Sequence, residues 1–305
     1  MAITLALAAA LGYAVASVLQ HRAAAAVPRA FSMRIGLLTR LLSRPLWLLG
    51  VGVDLSAFCF EAWALAVGSL AVVQPVLVLG LPVALVLGAV VARERFGRRE
   101  ALGSVAVCGG LVMFLTVSTP SRGHELAAAG RWVVVVVVLG ISVAACLIAA
   151  ARQSRWRAAC LGTATGLVFA VSAALTKSSA SLVRRVGIGA AGHWEIYALA
   201  AVAGFSMLLA QSAFQAGSLS ESLPAITLVP PFASAAIGVF LFGERIGGSP
   251  FAVAVAVASA ALAVSGVVVL ARSPLAESAY SASASAEAAP GPGAADSAPD
   301  RNMAG

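Results

Sequence analysis

Apolar residues run through this chain in blocks of about twenty, too continuous for the alternation of a half-buried strand and too long for the buried stripe of a soluble helix. Blocks of spanning length lie at about Ile3 to Leu19, Leu46 to Val67, Leu70 to Ala92, Ala101 to Val117, Trp132 to Ala151, Ala158 to Thr176, Trp194 to Ala216, Ser222 to Phe242 and Phe251 to Ala271. A helix rises about 1.5 Å per residue, so about 20 residues cross a hydrocarbon layer of roughly 30 Å. The pattern therefore predicts an all-α membrane protein with about nine transmembrane helices.

Composition agrees with lipid as the solvent: the 305 residues are 61% hydrophobic and 10% charged, with a mean hydropathy of +0.98. Such a chain cannot clothe a water-soluble core in charge. The net charge of +8 and pI of 10.3 would suggest nucleic acid in a soluble protein, but the arginines sit in short connections between apolar blocks and read as topology signals, with no nucleic-acid partner. Arg22, Arg29, Arg34, Arg40 and Arg44 follow span one, Arg93, Arg95, Arg98 and Arg99 follow span three, and Arg152, Arg155 and Arg157 follow span five. The opposite side carries Arg122 and Arg131, then Lys177, Arg184 and Arg185, then Arg245. Arg-rich short loops stay cytoplasmic, which predicts an outer N-terminus and a cytoplasmic C-terminus. Abundant Ala, Val and Arg, with Lys177 the single lysine, suggest a GC-rich bacterial genome and hence the inner (plasma) membrane.

Several segments carry less. The first apolar block lacks a preceding Arg or Lys, so it reads as a retained span in preference to a cleaved signal. Val27 to Arg44 reads equally as an interfacial amphipathic helix or as a cytoplasmic loop. Cys59, Cys108, Cys146 and Cys160 all lie in apolar blocks without a CxxC pair, and read as small packing residues. Residues 273–305, rich in Ala, Ser, Pro and Gly, read as a disordered cytoplasmic tail.

The most specific signal is an internal repeat. Gly68, Ser69 and Leu70 match Gly217, Ser218 and Leu219, and at the same offset Pro75 matches Pro224 and Pro82 matches Pro231. One inserted residue later, Gly88 matches Gly238, and Glu94-Arg95 matches Glu244-Arg245. Spans two to four thus correspond to spans seven to nine. An offset of five helices is odd, so the second copy is inverted in the membrane, as in many secondary transporters. The expected halves are residues 1–151, with spans one to five, and 152–272, with spans six to nine; the second half lacks a partner for the fifth span.

Polar residues inside these spans are the candidate chemistry. Asp54 and Glu61 are the only acids deep within an apolar block, and each costs roughly 2.5 to 3.5 kcal/mol at a helix centre. Asp54, the deeper, is the first candidate for a coupling proton or a cation such as Mg²⁺; the alternative is an acid kept neutral or paired for structure alone. Pro75 and Pro82, like Pro224 and Pro231, share a helix face, and a mid-membrane proline frees a carbonyl that a ligand, water or partner side chain can use. Direct substrate contact and a hinge or cavity-shaping role both fit these prolines. Gln74, Gln211 and Gln215 can orient a solute or serve as interhelical glue. Lys177, at the end of span six, reads as a snorkelling interfacial lysine or, less readily, as an attractor of anions. The GTATG segment, Gly162 to Gly166, lets backbones approach closely and is no phosphate loop. No hydrolase, kinase or metal-enzyme motif occurs, so neither enzymatic activity nor a cofactor is expected.

The stretch GSLAVVQPVLVLGLPVALVLGAVVARERF and its echo GSLSESLPAITLVPPFASAAIGVFLFGERI resemble the drug/metabolite transporter superfamily (EamA-like) over spans two to nine. Within it, GYAVASVLQHRA, the acid-bearing second helix, GTATGLVFAVSAALTK and QSAFQAG are similar to NIPA-type magnesium transporters. The resemblance implies an inverted-repeat bundle around a central cavity and a secondary transporter of a small metabolite or divalent cation, with a NIPA-like Mg²⁺ pathway as the alternative and a non-transporting scaffold as a further one. The expected partners are a small-molecule or ion substrate and membrane lipid, with homodimerisation left open. The expected site groups Asp54, Glu61, Gln74, Pro75, Pro82, Gln211, Gln215, Pro224 and Pro231, between spans two, three, seven and eight.

Overall fold

The computed structural model describes residues 1–25, 44–93, 95–117, 123–124, 126–152, 156–216, 219–244 and 249–274. Each apolar block becomes a helix, because with no water in the hydrocarbon every backbone N–H and C=O must be satisfied within the segment. The helices are α1 (Ala2–Ala25), α2 (Pro45–Val67), α3 (Leu70–Leu77), α4 (Gly80–Ala92), α5 (Arg98–Val117), α6 (Ala129–Arg152), α7 (Arg157–Val186), α8 (Trp194–Gln215), α9 (Leu219–Phe242) and α10 (Pro250–Ala271), with a short 3₁₀ turn, Gly187–Gly192, after α7. There is no strand among the described residues. Among the described residues, eight helical segments are long and apolar enough to cross a membrane, α3 and α4 acting together as Leu70–Val91, and α8 contributes a shorter apolar helix, Trp194–Ala210. The protein is thus an all-α, multi-pass membrane protein.

Two departures from the apolar pattern have physical causes. Span three is not one smooth helix: it breaks between α3 and α4, where the N–H groups of Val78, Leu79 and Leu81 donate to the carbonyls of Pro75, Val76 and Val78 at 3.2, 3.1 and 3.1 Å. Pro82 supplies no N–H to the Val78 carbonyl four residues earlier, and the chain tightens so that Leu81 takes it. The carbonyl expected to be free for a ligand is therefore already engaged. The second departure is α7, which continues ten residues beyond the apolar block, to Val186. Its polar extension is held by packing, since Lys177, Ser178, Ser179, Ser181 and Leu182 are all buried.

Helix pairing follows one pattern twice. α1 lies along α2 and against α3 and α4; α7 lies along α8 and against α9. The pairing of α3 with α9 joins these groups, and α5 pairs with α10. Small residues set the close approaches: a Cβ on Gly110 would stand 2.7 Å from the Ser259 carbonyl oxygen, and one on Gly166 would stand 2.6 Å from the Val229 Cβ. The GTATG segment is thus a helix-packing face against α9. The core gathers Leu65, Leu70, Val73 and Val76 with Ala174, Leu175, Ile237, Leu241, Phe242 and Trp132. Val133, Val134, Val136, Val137 and Val138 on α6 are exposed, as a lipid-facing wall should be.

Candidate functional site: two polar centres and an apolar cavity

The first centre joins α1, α2 and α3. Gly12 lets α1 press against α2, where an added Cβ would stand 2.8 Å from the Ala57 Cβ. This approach brings Tyr13 to Glu61: the phenol donates to Glu61 Oε2 at 2.6 Å. From the other side the Gln74 side-chain amide donates to Oε1 at 3.0 Å. Both carboxylate oxygens are engaged within the membrane span, so the cost of an acid there is offset by two directed hydrogen bonds.

Asp54 lies seven residues earlier on α2, about 10 Å along the axis, and is exposed on the surface of the bundle. Among the described residues no hydrogen bond reaches it, in contrast to Glu61. Of the nine candidate residues, the structure brings Glu61 and Gln74 into direct contact. Pro75 and Pro231 meet separately, across the cavity described below. Pro82 is buried beside the α3–α4 break, and Pro224 is part-buried on α9. Gln211 and Gln215 belong to α8, but their side chains, like all of Glu94 and Arg245, lie outside the described residues, as does 27–43 of the amphipathic stretch.

The second centre closes one end of the bundle. α9 ends at Phe242, and Gly243 adopts φ +67°, the left-handed conformation that a Cβ disfavours. The Glu244 N–H then donates back to the Gly238 carbonyl at 3.1 Å, a helix-ending turn that aims the Glu244 side chain into the bundle. There its carboxylate accepts from the N–H of Leu70 at 2.8 Å and of Ala71 at 3.0 Å, at the positive end of α3. Lys177 completes the group: its ammonium pairs with Glu244 Oε1, donates to the Gly68 carbonyl at 3.1 Å and stands 4.7 Å from the centre of the Phe242 ring. Both side chains are buried, at 3% and 0% exposure. Nearby, the His124 N–H donates to the Phe242 carbonyl at 2.6 Å and the Arg131 guanidinium to the Leu241 carbonyl at 3.4 Å.

Sequence reasoning placed Lys177 at an interface, and the structure corrects this: it is an internal cation, because its counter-charge comes from Glu244, 67 residues away. The repeat did single out Glu244 as a helix exit, and the buried serines beyond Lys177 were the one local hint that α7 stays inside the protein. Tyr13 was missed altogether. An aromatic in an apolar block looks like packing until a partner helix supplies an acceptor.

Helices α3, α5, α9 and α10 line a cavity of about 110 Å³, with Ala71, Pro75, Leu111, Phe114, Pro231 and Phe232 among its walls. Ala71 belongs both to this wall and to the Glu244 clamp, so the charged closure sits at the cavity's edge. No cluster of three His, Cys, Asp or Glu side chains occurs among the described residues.

No family model matches the chain, and no solved structure matches it. Over 248 residues it is 32% identical to an uncharacterized protein of Corynebacterium glutamicum, an alignment that covers 80% of this chain and 86% of the relative. Identity at that level over most of both lengths shows that the chain belongs to the same family as this Corynebacterium glutamicum protein.

Proposed function

We propose that the chain is a secondary transporter of the drug/metabolite transporter type, carrying a small metabolite or a divalent cation across the bacterial inner membrane, with its N-terminus outside and its C-terminus in the cytoplasm. Its two units, residues 1–151 and 152–272, are taken as inverted copies. The duplicated pairing of α1 with α2 to α4 and of α7 with α8 and α9 supports this. So do the left-handed residues, Arg93 at φ 56° and Gly243 at φ +67°, that precede the matched Glu94 and Glu244.

The single observation that carries the reading is that groups from both units meet beside a cavity: Glu244 and Lys177 from the second clamp the start of α3 in the first, at Ala71, which also lines that cavity. Alternating access needs a reversible closure of this kind around a midplane cavity. Glu61, held by Tyr13 and Gln74, and Asp54 on the same helix face are the coupling groups. An organic solute is favoured over Mg²⁺, which demands several oxygen ligands and keeps its waters, whereas both Glu61 oxygens are engaged.

Purified protein in liposomes tests the proposal through Mg²⁺ flux and the flux of a small-metabolite panel under an imposed pH gradient. Flux of at least one solute is expected, lost in Asp54→Asn or Glu61→Gln. Absence of every flux in correctly inserted protein leaves the scaffold reading, and full flux in both variants removes the coupling assignment.

A further inference from the structure

The cavity between α3, α5, α9 and α10 has a composition unlike the two polar centres. Of its lining residues, which include Pro75, Leu111, Phe114, Pro231 and Phe232, the only one with a polar side chain is Ser259. That hydroxyl is spent within its own helix, donating to the Ala256 carbonyl at 2.8 Å. The Pro75 carbonyl is likewise taken, by the Val78 N–H at 3.2 Å. The charges of the adjoining clamp, Glu244 and Lys177, satisfy each other, the N–H groups of Leu70 and Ala71, and the Gly68 carbonyl. A charged or strongly hydrogen-bonding guest would leave water for walls that offer it no partner. An apolar guest loses nothing by entering.

Size narrows the class. Apolar cavities of roughly 150 Å³ stay dry and accept a single benzene-sized molecule, and about 110 Å³ of space here, partly open at one side, is of that order. Two proline rings and two phenylalanines among the walls present C–H edges and aromatic faces, which suit a planar ring over a flexible chain.

We propose that this cavity is a binding site for one neutral, apolar, ring-sized organic molecule. The assignment gives the transport reading above its substrate class and rests on it for function, though binding is measured independently of flux. Asp54 and Glu61 then serve coupling alone and make no contact with the solute. The Glu244–Lys177 clamp holds Ala71, one edge of the wall, in place while the site is closed.

The test uses the full chain in nanodiscs and fluorine NMR with three probes of equal ring size: 4-fluorotoluene, 4-fluorobenzoate and 4-fluorobenzylammonium. A saturable bound signal is expected for 4-fluorotoluene above its linear partition into lipid, with at least tenfold weaker binding of the two ions. Filling the cavity by Ala235→Phe on α9 should abolish the saturable signal, and Ala260→Phe on α10 repeats the test should the first variant fail to fold. A signal that is absent, as when a lipid chain occupies the space, overturns the site; so does one that survives both fillings, or equal binding of an ion. Lost binding with solute flux intact removes this site and leaves transport standing, whereas saturable binding without any flux does the reverse.

Discussion

Glu244 does two things with one carboxylate, neutralising Lys177 and capping the start of α3, while its backbone N–H closes the exit of α9 on the Gly238 carbonyl. Removing the side chain alone leaves a buried ammonium without its counter-charge and two buried N–H groups without their acceptor. Glu244→Ala is therefore expected to destabilise the protein by about 3–5 kcal/mol, and Lys177→Met by a similar amount, because a buried charge left unpaired is worse than no charge. Lys177→Met combined with Glu244→Leu should recover part of the loss. Thermal unfolding in detergent reads this directly; a double variant as unstable as the sum of its parts would contradict a mutual pairing. Tyr13 gives a smaller signal: Tyr13→Phe removes one charge-assisted hydrogen bond to Glu61, for a loss of about 1.5–3 kcal/mol, and a change below 0.5 kcal/mol would mean that the phenol contributes little there.

At the scale of the helix, glycine decides what can meet. α5 and α10 touch backbone to backbone at Gly103, Gly110 and Gly266, where an added Cβ would stand 2.8, 2.7 and 2.7 Å from the nearest atom of the facing helix. Gly110→Val should push α10 outward and open the cavity, measured as a lower unfolding temperature together with faster labelling of a cysteine placed at Ser259. An unchanged labelling rate would argue against that packing. Gly243 works differently, through its left-handed backbone, so Gly243→Ala should cost about 1–2 kcal/mol even though a Cβ there meets nothing closer than 3.6 Å, at His124. Arg93 occupies the matching position in the first unit with φ 56°, which shows that the turn itself, more than the residue type, is the shared feature of the two exits. Prolines also act at this scale: Pro82 accompanies a break that separates α3 from α4, while Pro224, Pro230 and Pro231 leave α9 one continuous helix. α3 is thus a short lever between the Glu244 clamp and the Pro82 break.

For the molecule as a whole, inversion is the property on which transport depends. Single cysteines placed beside Glu94 and beside Glu244, probed with a membrane-impermeant thiol reagent in intact cells, should react from opposite faces of the membrane. The positive-inside bias predicts reaction of the Glu244 site from the outside. Reaction from the same face would dismiss the inverted arrangement and with it the argument for alternating access, whatever the fold. The described bundle joins the clamp, the cavity and the Glu61 cluster through α3, which carries Leu70, Ala71, Gln74 and Pro75. A rearrangement of α3 would be felt at all three.

The sequence by itself determined that the chain is helical, that it crosses a membrane many times, and closely where most helices begin and end. Lipid enforces this, since hydropathy and length leave a backbone without water no other choice. The repeat, Gly68-Ser69-Leu70 echoed by Gly217-Ser218-Leu219, was legible for the same reason: it is a one-dimensional pattern. Partners across helices are not. Which acid meets Lys177, why Tyr13 matters, and that Pro75 and Pro231 face one apolar cavity while Asp54 stands apart were decided only by the tertiary structure, because side chains tens to hundreds of positions apart become neighbours through helix packing, and nothing local in either partner records that contact.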